Sequence, residues 1–227
     1  MAETKASRGK FILLRHGQTV WSESGQYTGR TDIPLTAEGE EQARQAGERL
    51  RENFGPELNR AFVLTSPLIR ARRTAALAGF ESAIADDNLM EFDYGPAEGR
   101  TRAQVAAAIG EDTWNIWDRG PLTLPQSLRG TRREKLEGQG TVTIVNGIGE
   151  SAAMAGARTR AVINRVLPKL EAGENVVCVA HAHILRILTT QWLGMEPSCA
   201  RMLELETAHF CVLAWHHEDR VIYKWNI

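Results

Sequence analysis

Arg15, His16, Arg70, Glu91 and His181 are residue types that together can move a phosphoryl group. A phosphoryl group in transfer spreads negative charge over three equatorial oxygens. Two guanidiniums, Arg15 and Arg70, can grip those oxygens with paired hydrogen bonds. A neutral imidazole, His16, can attack phosphorus if its other nitrogen is held as N–H, for instance by a backbone carbonyl. Gly17 leaves room for backbone to come close. A carboxylic acid, Glu91, can protonate the leaving oxygen and then activate water. A second imidazole, His181, can donate to the oxygens as charge develops.

Such a set needs elements that bring distant positions together. Lys10 to Leu14 is a short apolar run ending in Arg15-His16-Gly17, which predicts a buried strand with polar chemistry at its C-terminal end. Pro34-Leu35-Thr36 opens a helix: Thr36 is the expected N-cap, Glu38 suits its positive end, and Ala43, Ala46, Gly47 and Leu50 give its core face. Ala61 to Thr65 predicts a second strand, with Pro67 at the first position of a helix running to Leu77. Ser82 to Met90 reads as a third extended segment, followed by helical pieces at Thr101 to Ile109 and Thr113 to Trp117. Ser151 to Leu170 predicts a long amphipathic helix with Pro168 near its end. Asn175 to Ala180 is an apolar strand ending at His181, and the helix after it is closed by Gly194. Phe210 to Trp215 and Val221 to Trp225 are the last strands.

Alternating strands and helices imply an α/β fold, a three-layer sandwich with a mainly parallel central sheet and helices on both faces. Ligands of such sheets bind beyond the carboxyl ends of the strands, where Arg15-His16, Ser66 to Arg70 and His181 all fall. Residues 1–9 read as a disordered lead and 10–227 as a single domain. Residues 120–149 are irregular: either a hairpin over the site, acting as a lid, or a floppy surface insert. Arg129, Arg132, Arg133 and Lys135 crowd this stretch. They are a solvated loop, or cations that meet a second phosphate or carboxylate of the substrate.

The 227 residues, 43% hydrophobic, suffice for one packed core, and a formal net charge of -1 gives no global field toward nucleic acid or an acidic membrane. No apolar run approaches a membrane span of roughly 20 residues. Cys178, Cys199 and Cys211 lack a CxxC pair, so reduced thiols and a cytoplasmic location are expected.

Several segments, taken together, resemble the histidine phosphatase superfamily, also called phosphoglycerate mutase-like. They are Leu13-Leu14-Arg15-His16-Gly17-Gln18-Thr19, Tyr27-Thr28-Gly29 with Thr31 to Thr36, Thr65-Ser66-Pro67-Leu68-Ile69-Arg70-Ala71, Glu91 to Gly95 with Glu98-Gly99, Gly149-Glu150-Ser151, and Val179-Ala180-His181. Trp21 to Gly29 and Trp114-Asn115-Ile116-Trp117 look most like sedoheptulose-1,7-bisphosphatase-like and acid-phosphatase-like members. The resemblance implies a phosphatase acting through a phosphohistidine on His16, without metal or other cofactor, on a small phosphorylated metabolite such as a sugar phosphate or bisphosphate. The alternative is a cofactor-dependent phosphoglycerate mutase; Ser22 and the run Glu91 to Tyr94 depart from that branch. Ala182 stands where the family commonly has Gly.

Ser22, Gln26, Thr28, Gly29, Tyr94, Arg102 and Ala182 are the candidate substrate-binding residues. Turn roles for Ser22, Gln26, Thr28 and Tyr94, and a solvated helix start for Arg102, stand beside that reading. Trp114 and Trp117 are expected to pack the core or form a lid. His181-Ala182-His183 with Cys178 suggests a metal, but no third carboxylate or histidine stands at ligand spacing, so none is expected. A non-catalytic phospho-ligand binder and a metallohydrolase are the readings from other classes. Nucleic-acid and membrane partners are not expected, and a homo-oligomer is compatible with the sequence.

Overall fold

In a computed structural model that describes residues 7–136 and 138–227, six strands form one sheet. They are β1 (Phe11–Arg15), β2 (Phe62–Thr65), β3 (Ile84–Ala85), β6 (Val176–Ala180), β7 (Phe210–His216) and β8 (Asp219–Lys224), in the order β3-β2-β6-β1-β7-β8. β1, β2, β3 and β6 run parallel, and β7 joins β1 antiparallel. A separate hairpin pairs β4 (Gly130–Leu136) with β5 (Gly140–Asn146). The helices are α1 (Val20–Ser24), α2 (Ala37–Phe54), α3 (Ile69–Leu77), α4 (Arg102–Ala108), α5 (Ala152–Glu171) and α6 (Ala182–Trp192).

Alternation along β1 builds the layers. Ile12 and Leu14 face one way, against Ala46 and Leu50 of α2 and Ala75 of α3. Phe11 and Leu13 face the other, against Val162 and Val166 of α5 and Leu185 and Leu188 of α6. A strand with both faces buried must be apolar throughout, as Phe11 to Leu14 and Val176 to Ala180 are. The register sets Arg15 beside Ala180 and Thr65 beside Val179, so three strand ends finish level. The chain then leaves each strand into the same crevice.

The sandwich and its helix caps agree with the sequence. Thr36 caps α2 by accepting from Gly39 N–H, and Ser151 caps α5 by accepting from Met154 N–H. Four local expectations change. Residues 113–117 form no helix; Trp114 is buried in the core, and its neighbours make turns. Pro67 lies two residues before α3, which starts at Ile69. The extended segment at 82–90 shrinks to a two-residue strand and a 3-10 turn at Asp87–Leu89. Residues 7–9, expected in a disordered lead, bind the body: Gly9 N–H donates to Leu170 O at 2.7 Å, and Arg8 pairs with Glu218 at 2.6 Å. The expectation for residues 1–6 lies outside the described residues.

Within 120–149, Gly130–Leu136 pairs with Gly140–Asn146 as a hairpin. Period-2 alternation puts Arg132, Glu134 and Leu136 on its inner face and leaves Arg133 and Lys135 exposed. Leu136 and Ile144 pack on Trp21 and Ile33, so the hairpin braces the segment after β1 from outside.

Candidate active site

At the end of β1, His16 is fixed on three sides. Its N–H donates to Ala180 O at 2.9 Å, and its carbonyl accepts from Ala208 N–H at 3.0 Å. Its ring Nδ1 lies 2.7 Å from Gly17 O. A carbonyl only accepts, so Nδ1 carries the hydrogen and Nε2 keeps its lone pair. Burial, with the charges of Arg70 and Arg15, pushes the His16 pKa well below its ordinary value, so the ring stays neutral. Gly17 has no room for a side chain: a Cβ there would sit 2.1 Å from Gly39 O of α2. Its N–H donates to Thr74 Oγ1 on α3 at 3.1 Å, which ties the loop to the helix layer.

A cavity of about 190 Å³ opens beside this ring. Arg15, His16, Glu91, Ala182 and His183 line it from the strand ends and α6. Trp21, Ser22, Gly25, Gln26, Tyr27, Thr28 and Tyr94 line it from the loops. Arg15 donates from Nη1 to Leu205 O at 2.7 Å, while its buried Nε has no partner. A buried guanidinium N–H without a partner is costly and is suited to an anion.

Glu91 is buried at the start of α6. One oxygen accepts from Phe92 and Ile184 N–H at 2.8 and 2.9 Å, the other from His183 N–H at 3.2 Å. The carboxyl group therefore covers the positive end of the helix. Three backbone donors fix its position in the cavity wall.

Arg70 and His181 are placed differently from the sequence expectation. Both are fully buried, and neither lines the cavity. The Arg70 guanidinium donates to Thr31 O at 3.0 Å, Thr28 O at 3.0 Å, Gly29 O at 2.9 Å and His181 Nδ1 at 3.1 Å. With Nδ1 accepting, His181 carries its hydrogen on Nε2, which meets Ser66 Oγ at 2.8 Å. The two imidazoles still touch, edge to face, with centroids 5.0 Å apart. Burial and the Arg70 charge hold His181 neutral. In this arrangement Arg70 clamps the 28–31 loop and orients His181, with four of its five N–H donors engaged by the protein.

The candidate binding residues divide in the same way. Gln26, Tyr94 and Ala182 line the cavity. Ser22 lines it too, but its hydroxyl is spent in the Thr19–Ser22 capping box of α1. Thr28 contributes its carbonyl to Arg70 and its hydroxyl to Gln26 O. Gly29 is a correction: it is buried, and a Cβ would sit 2.6 Å from Phe92 O. Arg102 is exposed, donates from Nε to Trp114 O and lies close enough to the cavity residue Tyr27 to act on it electrostatically. Arg132 is held by Asn146, Glu98 O and Gly99 O, so the inner hairpin cation is engaged within the protein.

Three residues that sequence reasoning did not single out support the site. Glu98 is buried and accepts from Gly29 and Thr31 N–H, which shapes the loop that holds Arg70. Burial raises its pKa. Thr74 and Ser66 steady Gly17 and His181. Glu98-Gly99 was visible as a motif, but only the fold shows its partners. Tyr94 O–H meets His183 Nδ1, and burial pushes His183 down to about 3. Among the described residues, no cluster of three or more His, Cys, Asp or Glu could hold a metal ion.

The family profile described as histidine phosphatase superfamily, branch 1, matches residues 11–227. The chain belongs to that superfamily. Membership makes it an enzyme of the histidine phosphatase type. It is 32% identical over 215 residues to a sedoheptulose 1,7-bisphosphatase of Saccharomyces cerevisiae, covering 86% of this chain and 72% of that one. It is 33% identical over 192 residues to a 2,3-bisphosphoglycerate-dependent phosphoglycerate mutase of Corynebacterium efficiens, covering 80% and 75%. An acid phosphatase of Mycobacterium tuberculosis is 30% identical over 211 residues, covering 93% and 89%. The solved structure of an open reading frame product from Mycobacterium tuberculosis superposes with a TM-score of 0.78 at 28% identity, covering 96% and 97%. The α/β sandwich is thus the fold of this superfamily. No helix among the described residues is long and apolar enough to cross a membrane.

Proposed function

We propose that this histidine phosphatase hydrolyses a small phosphorylated metabolite, of the sugar phosphate kind, through a phosphohistidine on His16 and without a metal, in the cytoplasm. The observation that carries the reading is the Nδ1-to-Gly17 O contact, which presents a neutral imidazole Nε2 beside a buried, unpartnered Arg15 N–H. In the first step Nε2 bonds to phosphorus and the ester P–O bond breaks. Glu91, in its protonated form, gives its proton to the leaving oxygen. Arg15 takes the equatorial oxygens, and a modest movement of the Arg70–His181 unit adds further donors. In the second step water attacks phosphorus, Glu91 removes its proton, the P–N bond breaks and phosphate leaves.

Relatives named as phosphatases support hydrolysis. The mutase relative favours a second reading that shares the first step and returns the phosphoryl group to a sugar acid. Rapid quenching during turnover of an aryl phosphate should trap a base-stable, acid-labile phosphoryl group on His16. Free phosphate should accumulate in step with substrate loss, and EDTA should leave the rate unchanged. Phosphoryl return without net phosphate would select the mutase, and a rate lost to EDTA and restored by zinc would select a metallohydrolase.

A further inference from the structure

The cavity beside His16 has an unusual charge balance for an enzyme whose relatives act on bisphosphates and phosphoglycerates. Among the described residues lining it, Arg15 is the one lysine or arginine, and it faces Glu91. None of the other guanidiniums nearby lines the cavity, and each makes contacts within the protein. Arg186 donates twice to Ala200 O and lies over Trp117, with its centre 5.2 Å from the ring. Arg102 turns to Trp114 O. Arg132 is bound to Asn146 and to two backbone carbonyls. Arg30 lies within 4.0 Å of both Asp93 and Glu150.

Away from His16 the wall is aromatic and uncharged. Tyr27 packs on Tyr94 at 4.8 Å between centroids, Tyr94 on His183 at 5.5 Å, and Trp21 and Gln26 complete the rim. Burial keeps both tyrosines as phenols and His183 as a neutral imidazole. Such a wall offers ring faces to C–H groups and phenol, imidazole and amide edges to hydroxyls. It offers no cation to a second anion. A second phosphate or a carboxylate in about 190 Å³ would stand close to Glu91 without a counter-charge.

From this wall we infer that the enzyme selects monophosphate esters of uncharged, hydroxyl-bearing leaving groups and discriminates against bisphosphates and phosphorylated acids. The inference rests on the phosphatase reading above and narrows its substrate class. It also sets aside one of the two readings of the hairpin cations, that they meet a second phosphate or carboxylate of the substrate.

Two matched pairs test it: glycerol 3-phosphate against 3-phosphoglycerate, and fructose 6-phosphate against fructose 1,6-bisphosphate. The member with the uncharged leaving group should have the higher kcat/KM, by roughly tenfold or more. Equal or better turnover of the members that carry a second anion overturns the inference. An aryl phosphate is the control for the chemistry itself. If it is not hydrolysed, the phosphatase reading fails, and titration of the four esters into the His16→Ala protein still measures the same discrimination as affinity. Placing a cation in the wall with Gln26→Lys should shrink the preference to within about threefold. Arg102→Gln should leave the ratio unchanged. A ratio that moves with Arg102 and not with Gln26 would show Arg102 serving as an anion clamp, and the inference would fall.

Discussion

The Arg15–His16 pair and the Arg70–His181 pair lie against each other, yet the first lines the cavity and the second faces the protein. Arg15 has a buried N–H without a partner, and His16 carries its hydrogen on the nitrogen that meets a carbonyl. Arg70 donates to three carbonyls and to His181, and His181 meets Ser66. The same two residue types thus make a reactive edge in one place and a scaffold in the other. What separates them is where the remaining hydrogen-bonding capacity of each group goes. A group whose donors and acceptors are all satisfied holds geometry; a group left short is where chemistry can enter.

The sharpest way to break that contrast is to remove the His16 imidazole, the proposed nucleophile. His16→Ala should cost on the order of a million-fold in kcat and abolish the trapped phosphoenzyme, with the fold retained. A variant that keeps near-normal turnover would move the nucleophile, with His181 the next residue to examine. Glu91→Gln comes next, with a loss of roughly 100- to 10,000-fold. The loss should be larger for alkyl esters than for aryl phosphates, which leave without help. An equal loss for both would shift the acid role, first to Asp93.

Replacing the two arginines in turn sharpens the comparison. Arg15→Met and Arg70→Met should both slow turnover, but only the second should lower the melting temperature by many degrees. Arg70→Met leaves three carbonyls and His181 Nδ1 without donors. Each buried group left unpaired costs about 1–3 kcal/mol. Matching thermal shifts in the two variants would erase the distinction between edge and scaffold.

The smallest effect is a pH dependence of stability. His183 is held near 3, chiefly by burial, with Arg186 and Arg15 adding to it. Its folded pKa lies below the ordinary value near 6.5, so below that pH the unfolded chain takes up a proton that the folded protein refuses. Stability is therefore lost as pH falls from about 6.5 toward 3, by up to about 1.4 kcal/mol per pH unit. His16 and His181 add to the same slope, so His183→Gln should flatten it only in part. A slope unchanged by His183→Gln would place the titration elsewhere.

The sandwich was legible because strands buried on both faces are continuous apolar runs, as in Val176 to Ala180, and because Thr36 and Ser151 are local caps. Placing motifs at strand ends put Arg15-His16, Ser66 to Arg70 and His181 toward one crevice; Glu91, in a loop, came only from its motif. What was not legible depends on long-range pairing. Nothing near Arg70 in sequence says that Thr28, Gly29 and Thr31 will take its donors, and the Glu98 carboxylate that shapes their loop lies almost 70 residues away from it. The hairpin arginines illustrate the same limit. Composition showed a cationic stretch, but only strand alternation and the Asn146 contact decide that Arg132 points inward.

The backbone of His16 is held by Ala180 on one side and by Ala208 on the other. A ribosome reaches His16 early and Ala208 some 190 residues later, which at about 5–20 residues per second is roughly 10–40 s. During that interval His16 exists as a residue but not as part of a site. The growing chain therefore carries no half-built hydrolase among the phosphate esters around it. In a series of carboxyl-terminal truncations, activity should appear as one step at the length that includes β7, with no gradual rise before it.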